Sequence, residues 1–242
     1  MAAFGHRGRI GVISPTVLEV ISDDFHRIAP PGVAMTGVTC HMGGWSETEY
    51  ERAMVQMDAS AEYLGARNVD YLVHVATPPV VSRGVGYDLE LIGRFEEKAG
   101  CRATTSARAL IDALDHFGAK RIALATAFNE TVISQLLAFL AGNGVAVLSV
   151  GRMPGTFDFL HAIPADAIRQ AALDAMAQAP DAEAVSIPSG QVPAAPLVAS
   201  LEAELGVPVI AQNHADFWVP FRALGINDVA PGHGRLLDSL RG

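Results

Sequence analysis

The chain alternates short apolar, β-rich runs with longer stretches of helical spacing, and the alternation restarts half-way. Residues 9–14 (RIGVIS), 33–40 and 71–76 (YLVHVA) read as buried strands, and residues 48–64, 89–99 and 106–117 as helices. Tyr50, Met54, Met57, Ala61 and Leu64 fall on one face of the first helix, and Gly118 suits the cap that ends the third. The second round runs strand 121–126 (RIALAT), helix 130–143, strand 145–149, helix 165–177, strand 184–187, helix 195–205 and strand 207–212. Strands joined by helices must lie parallel, with helices on both faces of the sheet. RIGVIS and RIALAT hold equivalent places, as do YLVHVATPP and AVSIPSGQ, whose strands end at Thr77 and Ser189. The expected fold is α/β: two similar parallel-sheet lobes packed together, with the site in the cleft between them. Lobe 1 is expected to span residues 1–116, with 214–242 packing back onto it, and lobe 2 residues 117–213.

Open parallel sheets bind ligands beyond the carboxyl ends of their strands. That rule nominates the segments 14–16, 77–79, 126–129, 189–191 and 213–214. Ser14, Pro15, Ala76, Pro78, Phe128, Gly190, Gln191 and Asn213 are the candidate substrate-binding residues. Ser189, Thr77, His41 and His214 are the catalytic candidates. Ser189 reads either as a turn hydroxyl capping the next helix or as a group that donates to, or attacks, a bound acid. His74, inside an apolar strand, reads as a buried neutral imidazole. Arg83, after the Pro-Pro turn, reads as a carboxylate clamp or as a solvated loop charge. The segments 42–44, 153–160 and 214–218 are expected to shape the pocket walls.

Several function classes are disfavoured. Seventeen Lys and Arg against 26 Asp and Glu give 17 − 26 = −9, the sequence pI is about 5.3, and no basic run occurs. Phosphate backbones need clustered cations, so no nucleic-acid partner is expected. Mean hydropathy is +0.27, yet no run approaches the ~18 apolar residues of a spanning helix, and no membrane partner is expected. Residues 1–9 reach Arg7 and Arg9 without an apolar stretch, so no secretion signal is expected. After the first strand, where a dinucleotide fold carries GxGxxG, the chain reads Ser14-Pro15-Thr16. Gly84-Val85-Gly86 is only GxG, and there is no Walker sequence, GxSxG elbow or HExxH pair. No metal and no cofactor are expected. Cys40 and Cys101 form no CxxC pair, which suits a reduced, cytoplasmic protein.

Three segments carry a family resemblance: KRIALATAFNETVISQLLAFL (120–140), LGVPVIAQNHADFW (205–218) and PGHGRLLDSL (231–240). They resemble the arylmalonate decarboxylases, which with the maleate cis–trans isomerases belong to the aspartate/glutamate racemase superfamily. The resemblance runs from about residue 9 to the C-terminus. It implies two Rossmann-like parallel-sheet lobes related by a pseudo-twofold, with one active site in the interlobe cleft, and chemistry without metal or organic cofactor. An enediolate or carbanion would be stabilised beside a carboxylate held by backbone N–H and hydroxyl donors. It also implies that the superfamily's two catalytic cysteine positions fall on Ala76 and Ser189, and the decarboxylase tyrosine on Phe128. Thr77 and Gly190 match the anion cradle, whereas one of its serines has become Pro78. A serine lacks the acidity of a thiol. Three readings stand: an isomerase or decarboxylase acting on a small carboxylic or dicarboxylic acid with Ser189 in the cysteine's place; a hydrolase of a small amide or lactone acid using Ser189 and a histidine; and a carboxylate-binding protein without catalysis. Whether the chain forms a homo-oligomer is left open.

Overall fold

The computed structural model describes residues 4–241. Residues 1–3 and 242, which the expected lobe boundaries include, lie outside the described residues. The first half runs β1 (Gly8–Ser14), α1 (Glu19–Ile28), β2 (Val33–Thr39), α2 (Glu47–Gly65), β3 (Tyr71–His74), α3 (Pro78–Val81), α4 (Tyr87–Ala99), β4 (Arg102–Thr105) and α5 (Ser106–Phe117). The second runs β5 (Arg121–Thr126), α6 (Glu130–Gly142), β6 (Ala146–Arg152), α7 (Ala165–Gln178), β7 (Ala184–Ile187), α8 (Val198–Leu205), β8 (Val209–Ala211), α9 (Gln212–Ala223) and α10 (Arg235–Asp238).

Two four-stranded sheets form, ordered β2-β1-β3-β4 and β6-β5-β7-β8, and every strand pair is parallel. The orders superpose element for element, so the repeat of RIGVIS in RIALAT is a repeat of the central strand. In each sheet the order reverses between that strand and the third, which opens a crevice at their carboxyl ends. The helices that follow the fourth strands, α5 and α9, pack against each other and join the halves. Leu110 and Ala113 of α5 and Ala215, Phe217 and Phe221 of α9 lie in one core with β1 and β3. Phe25 of α1 meets the Phe217 ring at 5.1 Å, edge to face. The first core continues into the second half through Ile122, Leu124, Leu136 and Ile210, and a second core, with Ala123, Ala125 and Val185 against Ile168, Ala172 and Leu201, covers the other side of that sheet.

Several elements differ from the sequence reading, the short helices α3 and α10 among them. Strand β4 was not expected, because four residues with two threonines carry little apolar signal. Helix α1 was not expected either. The last strand ends at Ala211, and α9 starts at Gln212 with no intervening loop. The chain after α9 returns to the first half: Ala230 N–H donates to the Ile28 carbonyl and Arg7 pairs with Asp228. Among the described residues, no helix is long and apolar enough to cross a membrane.

Helix α7 lies so close to β6 that a Cβ on Gly151 would overlap the Ala171 carbonyl oxygen. Gly151→Ala is therefore expected to lower stability by about 1–3 kcal/mol, as overpacking does. Urea unfolding measures it; a stability equal to the native chain's would contradict this packing.

Candidate active site

The carboxyl ends of the equivalent strands meet at one small cavity of about 40 Å³. Its lining includes Pro15 and Thr16 after β1, Ala76, Thr77 and Pro78 after β3, Phe128 after β5, and Ser189, Gly190 and Gln191 after β7. The cavity shares Thr16, Met42, Phe157, Leu160 and Gln191 with an outer chamber of about 400 Å³. That chamber has a polar rim of Glu19, His41, Asp158 and His161. His161 Nδ1 lies 3.3 Å from Glu19 Oε1.

Thr16, Thr77, Ser106 and Ser189 are the hydroxyl residues of the lining, and Thr77 and Ser189 stand at equivalent strand ends. Thr77 is buried, and its Oγ1 makes no hydrogen bond. A buried hydroxyl without a partner is costly, and a ligand oxygen in the cavity would relieve it. Ser189 is half-buried, and its Oγ accepts from the Gln191 N–H at 3.3 Å. Because the oxygen accepts that bond, the hydroxyl proton stays available to an acceptor in the cavity. One side of the wall is apolar, built from Met42, Trp45, Phe128, Phe157 and Leu160. Trp45 sets its ring edge to face against both Phe128 and Phe157, at 5.6 Å in each case. An apolar wall excludes water and strengthens each hydrogen bond to a developing charge.

Other expected residues stand behind the cavity rather than in it. Ser14 is buried, and its Oγ accepts from the Thr16 N–H at 3.2 Å, so it shapes the turn. Asn213 Nδ2 donates to the Gly190 carbonyl at 2.9 Å and to Asp24 Oδ2 at 2.7 Å. A Cβ on Gly190 would come within 2.7 Å of Asn213 Oδ1. Asn213 thus pins the Gly190 turn from below, and only glycine permits so close an approach. Gln191 lines the cavity, but its amide crosses the cleft to Thr16 Oγ1 at 3.0 Å and the Val17 carbonyl at 2.6 Å. It straps the two halves together.

The histidines are dispersed. His41 lines the outer chamber, in a left-handed backbone conformation with φ 52°. His214 was expected at the cleft edge after a strand. It lies instead inside the first turn of α9, buried, with both ring nitrogens unpartnered and burial pushing its pKa down to about 3. The whole 214–218 segment is core helix rather than pocket wall. His74 is buried and held down to about 3 in the same way. Arg83 pairs with Glu47 at 2.7 Å, as a surface charge. The sequence reading passed over Trp45 and Ser106 as cavity residues. Ser106 was foreseeable: it follows a strand end, and only the unrecognised β4 hid it. Ser106 Oγ lies 2.8 Å from Oδ2 of the buried Asp216, whose Oδ1 accepts from Gln212 Nε2 at 2.9 Å.

The arylmalonate decarboxylase family model matches residues 10–237. The chain belongs to the arylmalonate decarboxylase family. It is 26% identical over 233 residues to the arylmalonate decarboxylase of Bordetella bronchiseptica, covering 95% of this chain and 96% of that protein. A maleate isomerase of Nocardia farcinica is 31% identical over 135 residues, 55% of this chain and 53% of that protein. Among solved structures, a double mutant of arylmalonate decarboxylase in its liganded form superposes with a TM-score of 0.89 at 25% identity, covering 96% of this chain and 99% of that one. The maleate isomerase of Pseudomonas putida S16 gives a TM-score of 0.86 at 22% identity, with the same coverage. This member of the arylmalonate decarboxylase family is thus an enzyme of the isomerase or decarboxylase type.

The burial of Asp24 makes stability depend on pH. Burial raises the Asp24 carboxyl to about 6, against the lowering effect of the Asn213 bond. The folded state then binds the proton more tightly than the unfolded chain, whose aspartates titrate near ~3.9. The contribution is full below the unfolded value and is lost as pH rises through about 6. Asp24→Asn keeps an acceptor for Asn213 but cannot ionise. Thermal unfolding between about pH 4 and about pH 7 should show a smaller decline of Tm for this variant than for the native chain. An identical decline would contradict the assignment.

Proposed function

We propose that this family member is a cofactor-independent decarboxylase or isomerase of a small carboxylic or dicarboxylic acid, with an enediolate intermediate and Ser189 at the position of the family's cysteine. The observation that carries the reading is the convergence of Thr77 and Ser189, from equivalent strand ends of the two sheets, on one cavity with an apolar wall. One substrate carboxylate accepts from Thr77 Oγ1 and Ser189 Oγ. As a malonate-type substrate loses CO2, charge moves onto that carboxylate, and donors already aimed at it hold the enediolate without reorganising. A double-bond shift needs the same stabilisation. The wall of Trp45, Phe128, Phe157 and Leu160 favours an apolar substituent on the reacting carbon, consistent with the arylmalonate substrate named for the Bordetella bronchiseptica relative.

The serine sets a limit. The maleate isomerase of Nocardia farcinica is known with a covalently bound succinylcysteine intermediate. Adding a nucleophile to a double bond in this way suits a thiolate; a serine needs a neighbouring base. Among the described residues, no histidine lines the inner cavity. The same arrangement counts against a hydrolase that uses Ser189 with a histidine. Cys40 and Cys101 line neither the cavity nor the outer chamber, and burial raises both thiols.

Proton NMR in D2O with arylmalonates, alkylmalonates, maleate and α-amino dicarboxylates tests the reading. Loss of CO2 with deuterium at the product carbon, or isomerisation, is the expected result; hydrolysis of amide or lactone acids with none of these would refute it. On the acid turned over, Thr77→Val is expected to lower kcat by about 10²–10³, the usual cost of one oxyanion donor. Iodoacetamide should leave the rate unchanged. A rate lost together with labelling of Cys40 or Cys101 would contradict the site.

A further inference from the structure

A carboxyl group lies behind the cavity wall and is not used by the reading above. Asp216 stands in the second turn of α9 and is fully buried. Its Oδ2 meets Ser106 Oγ at 2.8 Å, and its Oδ1 accepts from Gln212 Nε2 at 2.9 Å. The same Gln212 nitrogen donates to the Ser106 carbonyl at 2.9 Å. Ser106 opens α5 at the end of β4 and lines the inner cavity. The group therefore spans the α5–α9 seam and reaches the site through one hydroxyl.

Among the described residues, no cation pairs with Asp216. On α5, Arg108 is bonded to Asp88, and Asp112 feels Arg108 and Arg222. On α1, Asp24 is bonded to Asn213. On β3, His74 is held neutral by burial, and on β4, Arg102 lies over the Tyr71 ring. On α10, Arg235 donates to the Gly206 carbonyl, and Asp238 faces Arg241. His214, on the same helix, is held neutral as well. A buried carboxylate without a cation favours its protonated form. Burial pushes Asp216 up to about 7, against the bonds from Gln212 and Ser106. When protonated on Oδ2, Asp216 donates to Ser106 Oγ, and the serine's own hydrogen is then free to point into the cavity.

We propose that Asp216 and Ser106 form a proton relay that delivers the proton required by the product carbon. The inference rests on the enediolate reading. Ser106 is the catalytic residue of the pair, and Asp216 acts through it. A C–H bond forms between the enediolate carbon and the Ser106 hydroxyl hydrogen as that O–H bond breaks. Ser106 Oγ takes the Asp216 proton in the same movement. The enediolate electron pair becomes the C–H bond, and the product keeps its carboxylate. Asp216 is left as a carboxylate accepting from Gln212 Nε2 and Ser106 Oγ. After product leaves, water entering the cavity returns a proton along the same path. The relay supplies an acid that Ser189, a simple hydroxyl, does not.

Two measurements test it. The first needs no substrate: infrared difference spectra between the native chain and Asp216→Asn, across about pH 5 to about pH 9. A protonated-carboxyl C=O stretch that is absent from the variant and titrates near neutrality supports the relay. A group ionised throughout overturns it, whether or not any acid is turned over. The second uses the acid found by NMR. Ser106→Ala and Asp216→Asn are expected to lower kcat by about 10²–10⁴ with KM little changed, the scale of a lost general acid. The native rate should fall as pH rises through neutrality, Asp216→Asn should lose that limb, and Ser106→Thr should recover most of the rate. Native kcat and an unaltered pH profile in Asp216→Asn would overturn the relay while leaving the enediolate reading standing. Because Ser106→Ala removes a single hydroxyl and leaves Asp216 bonded to Gln212, a folding failure of Asp216→Asn still leaves the proposal open to refutation.

Discussion

A parallel strand reaches its neighbour only by crossing over the sheet, so every strand of such a sheet points the same way. This constraint acts twice in the chain, and the packing of α5 against α9 makes its two results face each other. The strand ends of both halves then share one cavity, and no long loop is needed to bring them together. The apolar surfaces of Leu110, Ala113, Ala215 and Phe217 hold the seam, so the site depends on helix packing some distance from it. Gln191, reaching from the β7 turn to Thr16 and Val17, adds a polar strap at the cleft mouth.

The site's chemistry follows from what this geometry leaves unpaired. Thr77 Oγ1 is buried without a partner, and the Ser189 hydroxyl keeps its proton for an acceptor. Both suit a carboxylate that gains charge. Neither is a strong acid or base, and the histidines stand elsewhere: His41 in the outer chamber, His74 and His214 in the core. A cavity of this kind stabilises a carbanion better than it moves protons. The buried Asp216, bonded to the cavity residue Ser106, is the acidic group proposed to meet that second need.

Much of this was legible in the sequence. RIGVIS and RIALAT marked the central strands, and Thr77 and Ser189 marked equivalent strand ends, because short apolar runs that recur at matching places and close on a small hydroxyl residue give a repeated signal. The resemblance to arylmalonate decarboxylases held over nearly the whole chain. What was hidden had physical causes. β4 is too short and too rich in threonine to announce itself, and with it went Ser106. Helix α9 was missed because Gln212 closes an apolar strand run and Asn213 and His214 look like loop residues. They are buried on a helix, where Gln212 and Asn213 bond across to Ser106, Asp216, Gly190 and Asp24. Polar residues in long-range networks carry no periodic signal, so only the fold reveals their partners.

The central claim is that strand-end hydroxyls of both halves hold one carboxylate of the substrate. A crystal structure with a bound arylacetate, the product expected from an arylmalonate, tests it most directly. The account places the carboxylate within hydrogen-bond distance of Thr77 Oγ1 and Ser189 Oγ, with the ring against Trp45 and Phe128. A carboxylate seated instead in the outer chamber, on His41 and His161, would contradict it.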